Sequence, residues 1–314
     1  MTVATPVGAV AAARSFEAKD VQRLAADVGL SDVHRQQLRD GGLMQVPVAT
    51  ASLVELIAEV LAELGRTGWQ PESCASVVFT HSLELTEHQL VALDMMLRDA
   101  LPGLARHPLA VTGRPCSVIH LGIELAASHH RLHPSATALV LGADLAPTTE
   151  DRFFFGSAMG DSAVGLVLGG EPTLGHLLAV RSTHHVIASD GAASPQEEIE
   201  RFRAQNPTAI RATIMAALYD AGITLADLTA IVPHTPYRTI WDAVAALCRF
   251  PRERILDDGL PHTGHLNSND VLVHFASVVR DDRLRAGDVV ALVSPGFGGT
   301  RGCTIIRYGA RKNG

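Results

Sequence analysis

Residues 111–126 read Val111-Thr-Gly-Arg-Pro-Cys116-Ser-Val-Ile-His-Leu-Gly-Ile-Glu-Leu-Ala126. A short extended run breaks at Gly113 and Pro115 and passes directly into an amphipathic helical pattern, which predicts a helix with Cys116 at its N-terminus. Unpaired backbone N–H groups and the positive end of the helix dipole meet there. They favour a thiolate and make the sulfur usable as a nucleophile near neutral pH. Taken alone, a cysteine is more often a small buried packing residue. Its reading therefore rests on the residues that keep it company.

Outward from this stretch, helical and strand-like patterns alternate, predicting α/β layers. Helices are expected over residues 52–64, 84–99, 117–133, 195–221, 237–250 and 267–280. Strands are expected over 76–81, 137–145, 163–168, 176–187, 230–232, 288–293 and 302–308. The run Gly169-Gly170-Glu171-Pro172-Thr173 reads as a joint between two halves, 1–170 and 171–314. Ser189 to Ser194 reads as a loop and Arg311 to Gly314 as a frayed tail. There is no repeat of solenoid length.

The 314 residues are 47% hydrophobic and 19% charged, ordinary globular proportions. A formal charge of -7 gives no basic footprint for nucleic acid, and no apolar run approaches the roughly 20 residues that would span a membrane. Met1 to Arg14 lacks the charged and densely apolar regions of a signal peptide, so a cytoplasmic protein is expected. Cys74, Cys116, Cys248 and Cys303 contain no C-x-x-C pair, which argues against a zinc ribbon, a redox motif or a disulfide framework. Cys248 falls in a helical pattern and Cys303 in a strand-like one, as packing residues. Cys74 reads as part of a loop before a strand.

The strand ending in Val232-Pro233-His234 delivers His234 to the carboxyl edge of a parallel sheet, where sites of α/β folds gather. A neutral imidazole there can take or return a proton from a thiol or an incoming alcohol. In His262-Thr-Gly-His265-Leu-Asn-Ser-Asn-Asp270, His265 stands before a helix whose positive end keeps an imidazole able to accept. Asp270 either orients that imidazole or serves only as a first-turn acid. Gly296-Phe297-Gly298-Gly299, between two strands, is either a hairpin turn or a set of N–H donors for a thioester oxyanion. It precedes a strand, so it is no dinucleotide loop. His129, His130 and His133 have metal-like spacing without the Glu of a zinc helix; they read as the basic end of a helix, and no metal is expected.

Together these residues resemble the β-ketoacyl-acyl-carrier-protein synthase III branch of the thiolase-like superfamily, from about Ala51 to Tyr308. The likeness is carried by Gly113-Arg-Pro-Cys116-Ser, Leu139-Val-Leu-Gly-Ala-Asp144, Met159-Gly-Asp-Ser-Ala-Val-Gly165, His234 and the turn Gly296 to Thr300. It implies two pseudo-symmetric βαβαβαββ halves in a five-layered αβαβα arrangement, a homodimer, and a thioester that acylates Cys116 through a narrow tunnel. It implies no cofactor, only the thioester of an acyl carrier protein or coenzyme A as substrate. Condensing members pair a His with the Asn of a Gly-Asn-Thr motif to hold an enolate. Here Gly264-His265-Leu266 stands in that place, and His234-Thr-Pro-Tyr237 replaces His-Gln-Ala-Asn. That pattern is similar to synthase III-like acyltransferases of secondary metabolism, which pass an acyl group to a small-molecule hydroxyl or amine. Cys116 is then the nucleophile, His234 and His265 the bases, Asp270 an orienting acid and Gly296 to Gly299 part of the oxyanion site. Decarboxylative condensation and a catalytically weak partner subunit are the alternatives. Family members open with a strand and a loop that contact coenzyme A, whereas Arg14 to Gly42 reads as charged and irregular, which favours a carrier-protein donor.

Overall fold

The computed structural model describes residues 4–114, 116–154, 156–170, 174–184 and 194–309. The first part of the chain forms β1 (Thr5–Ala12), β2 (Phe16–Asp20), α1 (Val21–Asp27), α2 (Asp32–Asp40), β3 (Gln45–Ala49), α3 (Leu53–Arg66) and β4 (Cys74–Thr80). It continues as α4 (Glu87–Ala100), β5 (Leu109–Val111), α5 (Val118–Leu132), β6 (Thr137–Asp144), β7 (Phe153–Phe154), β8 (Ser157–Ala158) and β9 (Ser162–Leu168). The remainder forms β10 (Gly175–His184), α6 (Gln196–Ala221), β11 (Ala230–Pro233), α7 (Thr239–Cys248), α8 (Leu260–Thr263), α9 (Asp270–Arg280), β12 (Val289–Pro295) and β13 (Thr300–Tyr308).

Nine strands hydrogen-bond in the order β11-β12-β13-β10-β1-β9-β6-β4-β5. In the first group β4, β5 and β6 run parallel and β9 and β1 follow antiparallel; in the second β11 and β12 are parallel and β13 and β10 antiparallel. The groups meet where Thr5 to Val7 pair with Leu177 to Gly175. Apart from the β2–β3 ribbon with its two helices, the first half reads β1-α3-β4-α4-β5-α5-β6-β9, a full βαβαβαββ unit. The second repeats it with its third strand reduced to one parallel bridge, Ile255 beside Ile231.

Both faces of the central strands are apolar, which is why their sequences run as unbroken hydrophobic stretches. On β6, Ala138 and Val140 enter a cluster with Ile119 and Ile123 of α5 and Val271 and Phe275 of α9, which also takes Val290 and Ile306 from the other strand group. Leu139 and Leu141 face outward against Leu56, Val60 and Leu97 of α3 and α4. Beyond the second strand group, Ile214, Trp241 and Val244 of α6 and α7 cover Ile231, Ala291 and Ile305. The order is helix, sheet, helix, sheet, helix, the five-layered thiolase-like arrangement.

Three local expectations are corrected. Residues 14–42 are not irregular: β2, α1 and α2 form there, with Asp20 and Ser31 accepting from the Arg23 and His34 N–H groups as N-caps. The charge belongs to the outer faces of short helices, which become stable only when Val21, Ala25 and Leu38 pack on Ala158 and Leu260 from distant sequence. β1 was missed for a similar reason, since its Ala-rich run is a strand only by pairing with β9 and β10. Cys74 is the first residue of β4 and fully buried. Cys248 and Cys303 are buried in α7 and β13 as expected. Residues 171–173 of the expected joint at 169–173, most of the 189–194 loop and the tail from 310 lie outside the described residues. No helix among the described residues is long and apolar enough to cross a membrane.

His120 ties the central layer to the second strand group: its Nδ1 lies 2.7 Å from Thr304 Oγ1 and its Nε2 3.0 Å from Ser294 Oγ. Burial pushes its pKa down to about 3, so the ring stays neutral. It reaches both hydroxyls because Gly302 has no side chain; a Cβ there would stand 2.1 Å from a ring carbon. Gly302→Ala is expected to destabilise the protein by about 1–3 kcal/mol through overpacking, read as a lower urea midpoint. Gly65→Ala, on a helical turn of α3 with open space around the new methyl, is expected to hold or raise it.

Candidate active site

Cys116 lies one residue before the N-cap of α5, Ser117, which makes no side-chain cap hydrogen bond. The first-turn N–H groups of the helix are thus left without a side-chain acceptor beside the sulfur. The cysteine backbone is left-handed, φ +63°, a conformation that a non-glycine residue adopts at a cost and that is often found where a side chain must be aimed. The Ser117 N–H donates to Arg114 O at 3.1 Å and closes the turn. The half-buried thiol looks into a cavity of about 660 Å³.

His265 arrives from the other half. Gly264 precedes it at φ +58°, ψ −145°, and a Cβ there would lie 2.4 Å from Ala158 O. Only glycine lets the chain pass β8 so closely. The His265 N–H then donates to Ala158 O at 2.9 Å, and the Gly160 N–H donates to His265 O at 3.0 Å. With its backbone pinned on both sides, the imidazole places Nε2 3.5 Å from Cys116 Sγ and Nδ1 2.7 Å from Asp270 Oδ2.

Asp270 opens α9 and is wholly buried. Besides His265, it accepts from the Leu266 N–H at 2.7 Å, the Thr235 N–H at 3.0 Å and the Thr235 hydroxyl at 3.1 Å. Burial works against its charge, but the His265 ring outweighs this and holds the carboxyl well below the usual carboxylate range. Burial likewise pulls His265 down, and the Asp270 carboxylate with the Cys116 sulfur overcomes it, raising the imidazole to about 10. Sulfur, imidazolium and carboxylate stand in one line, the geometry of an activated nucleophile.

His234 follows the last residue of β11. Its N–H donates to Val293 O at 2.9 Å, and its carbonyl accepts from Trp241 Nε1 at 2.9 Å. The ring stands edge-on to His265 with centroids 4.4 Å apart, and Nε2 is 3.8 Å from Asp270 Oδ2. Neither ring nitrogen has a hydrogen-bond partner among the described residues. Burial and the neighbouring His265 charge lower its pKa well below the ordinary value, so it is neutral.

The structure thus brings together Cys116, His234, His265 and Asp270, with His265, not His234, against the sulfur. Of the glycine-rich turn, Phe297 joins the cavity wall with Pro295, while the Gly296 N–H donates to Thr300 O and the Gly299 N–H to Gly296 O within the turn itself. Thr235, Met159 and Tyr237 stood in the sequence reading only as parts of motifs, with no role at the site, and the cavity walls Phe154 and Phe202 escaped it. Nothing in the spacing marks them, because they come from four separate segments. The His129 and His133 rings lie tilted against each other at the far end of α5, centroids 4.7 Å apart, and His130 Nδ1 lies 2.9 Å from Ala136 O, as befits a helix end. Among the described residues, the ligand atoms of Cys116, His234 and His265 lie within 4.8 Å of one another, a spacing that a metal ion could also use.

Residues 218–308 match the model of the 3-oxoacyl-[acyl-carrier-protein] synthase III C-terminal family. A β-ketoacyl-[acyl-carrier-protein] synthase III of Rhizorhabdus wittichii is 29% identical over 210 residues, 62% of this chain and 65% of that relative, so the chain spans just under two thirds of that relative's length. The same enzyme of Rhodospirillum centenum is 23% identical over 319 residues, covering 96% of this chain and 97% of the relative. Among solved structures, the acyltransferase ChlB3 superposes with a TM-score of 0.84 at 22% identity, covering 98% of each chain, a likeness of fold. On these matches and on its layered fold, the chain is similar to the synthase III-like proteins of the thiolase fold.

Proposed function

We propose that the protein is a ping-pong acyltransferase that takes an acyl group from a carrier-protein or coenzyme A thioester onto Cys116 and passes it to a hydroxyl or amine of a small molecule in secondary metabolism. The observation that carries this reading is the line Cys116–His265–Asp270, with 3.5 Å and 2.7 Å between successive members. Cys116 attacks the thioester carbonyl, the carrier thiolate leaves, and it takes its proton from the His265 imidazolium. Having given up its proton, and with acylation removing the sulfur contact that helped hold it, the ring is left neutral and basic. The acceptor gives its proton to His265 as it attacks the acyl carbonyl, and Cys116 departs as thiolate, restoring the pair.

Neutral His234 is assigned a hydrogen-bonding role toward the acceptor or the acyl oxygen, and the Cys116 N–H the oxyanion site, since the Gly296 and Gly299 N–H groups are engaged within their own turn. An enolate-stabilising pair would need a donor where His265 stands, and once Cys116 is acylated the neutral ring, with its Nδ1–H held by Asp270, presents Nε2 as an acceptor. This favours acyl transfer over decarboxylative condensation. The exposed Leu109 on edge strand β5, with Val91 and Met95 on α4, suits the homodimer that the family likeness implies.

Intact-protein mass after incubation with an acyl-carrier donor tests the reading. The wild type should gain the acyl mass and lose it again to an alcohol or amine acceptor, and Cys116→Ala should gain none. Stoichiometric CO₂ release from a malonyl-carrier donor would instead establish condensation. Asp270→Asn keeps the shape but leaves His265 without its charged partner, and turnover is expected to fall on the order of 10²-fold or more, with substrate KM little changed.

A further inference from the structure

Arg301, at the start of β13, is 2% exposed, and among the described residues no carboxylate pairs with it. A lone buried guanidinium is costly unless its fixed N–H groups hold something in place. Nε donates to Asn206 Oδ1 at 3.2 Å, Nη1 donates to Gly299 O at 3.1 Å, and Nη2 is buried without a partner among the described residues. The cation therefore clamps α6 to the glycine-rich turn. Asn206 is itself buried and lines the cavity in front of Cys116, beside Pro207, which interrupts the hydrogen bonding of α6.

An asparagine amide is ordinarily free to flip, presenting either its oxygen or its nitrogen. Here Arg301 can only donate, so Oδ1 must turn back toward it. Nδ2 is the amide atom left for a cavity lined by apolar Phe202, Phe297, Pro207 and Ile240, with Arg203 and Asn267 also on its wall. In such surroundings one oriented donor discriminates strongly between ligands that carry an oxygen at that point and ligands that do not.

Resting on the acyl-transfer reading, we infer that Asn206 is a specificity residue that donates from Nδ2 to an uncharged oxygen of the ligand, and that Arg301 is the positioning residue that fixes the amide for it. That oxygen belongs either to an amide in the arm of the thioester donor or to a hydroxyl of the acceptor.

Three variants test this: Asn206→Leu, Asn206→Asp and Arg301→Met. Acyl-enzyme formation is measured with octanoyl-N-acetylcysteamine, whose arm has an amide, and with S-butyl octanethioate, which has none; discharge is measured with methyl glucoside. Losing one hydrogen bond should raise KM about tenfold in all three variants, with kcat within about twofold. If the effect falls on octanoyl-N-acetylcysteamine and spares the butyl thioester, the oxygen is in the donor arm. If both thioesters behave as in wild type and methyl glucoside alone suffers, it is in the acceptor.

Asn206→Asp separates binding from stability, because its carboxylate pairs with Arg301 and should keep or raise the melting temperature while removing the donor. KM values within about twofold of wild type for all three substrates, or an Asp variant that binds like wild type, would overturn the inference. Calorimetric titration of the unreactive thioether S-octyl-N-acetylcysteamine and of methyl glucoside reads the same contact without turnover. A wild type that binds either probe through Asn206 but never acylates would refute the acyl-transfer reading and leave this one standing.

Discussion

A carboxylate with no access to water governs the construction of this site. Asp270 is ionised in the interior, which is tolerable only because four donors converge on its two oxygens: the Leu266 N–H, both donors of Thr235, and the His265 ring. Each donor comes from a fixed piece of architecture. Leu266 and His265 belong to the loop that Gly264 threads past β8, and Thr235 follows the end of β11. Loss of any of these would leave buried charge unsatisfied. The loop, the strand end and the first turn of α9 therefore stand or fall as one unit, and the imidazole is oriented by it.

The pseudo-symmetry of the fold explains why this unit faces the sulfur. α5 and α9 occupy equivalent places in the two halves and lie side by side in the central layer. Cys116 stands just before the first and Asp270 opens the second, so equivalent helix starts supply the thiol and the buried acid. The two halves have diverged around that axis. The first keeps all its strands, while the second has shed its third to a single bridge at Ile255.

Near the site the chain is locally strained or tightly approached at a few positions, and each aims a functional group. Left-handed Cys116 turns the sulfur toward the cavity, Gly264 brings His265 under β8, and Gly302 makes room for the His120 ring beneath the nucleophile helix. Two neighbouring imidazoles also end in opposite states. His265 has the Asp270 carboxylate at one nitrogen and the Cys116 sulfur at the other and holds its proton; His234, with only a distant carboxylate and a charged neighbour, does not.

By itself the sequence determined the layer class, because doubly buried strands such as residues 137–144 must be continuously apolar, and it singled out side chains that the fold brings together: Cys116 by its helix start, His234 by its strand end, His265 and Asp270 by their spacing before a helix. It left open whether Asp270 was cap or orienting acid, and which histidine met the sulfur. It also misjudged residues 14–42, whose short helices carry little propensity of their own. Only the tertiary structure decided those points. Charge stabilisation in a buried site depends on distances of a few ångströms between segments far apart in the chain, and local pattern carries no record of them.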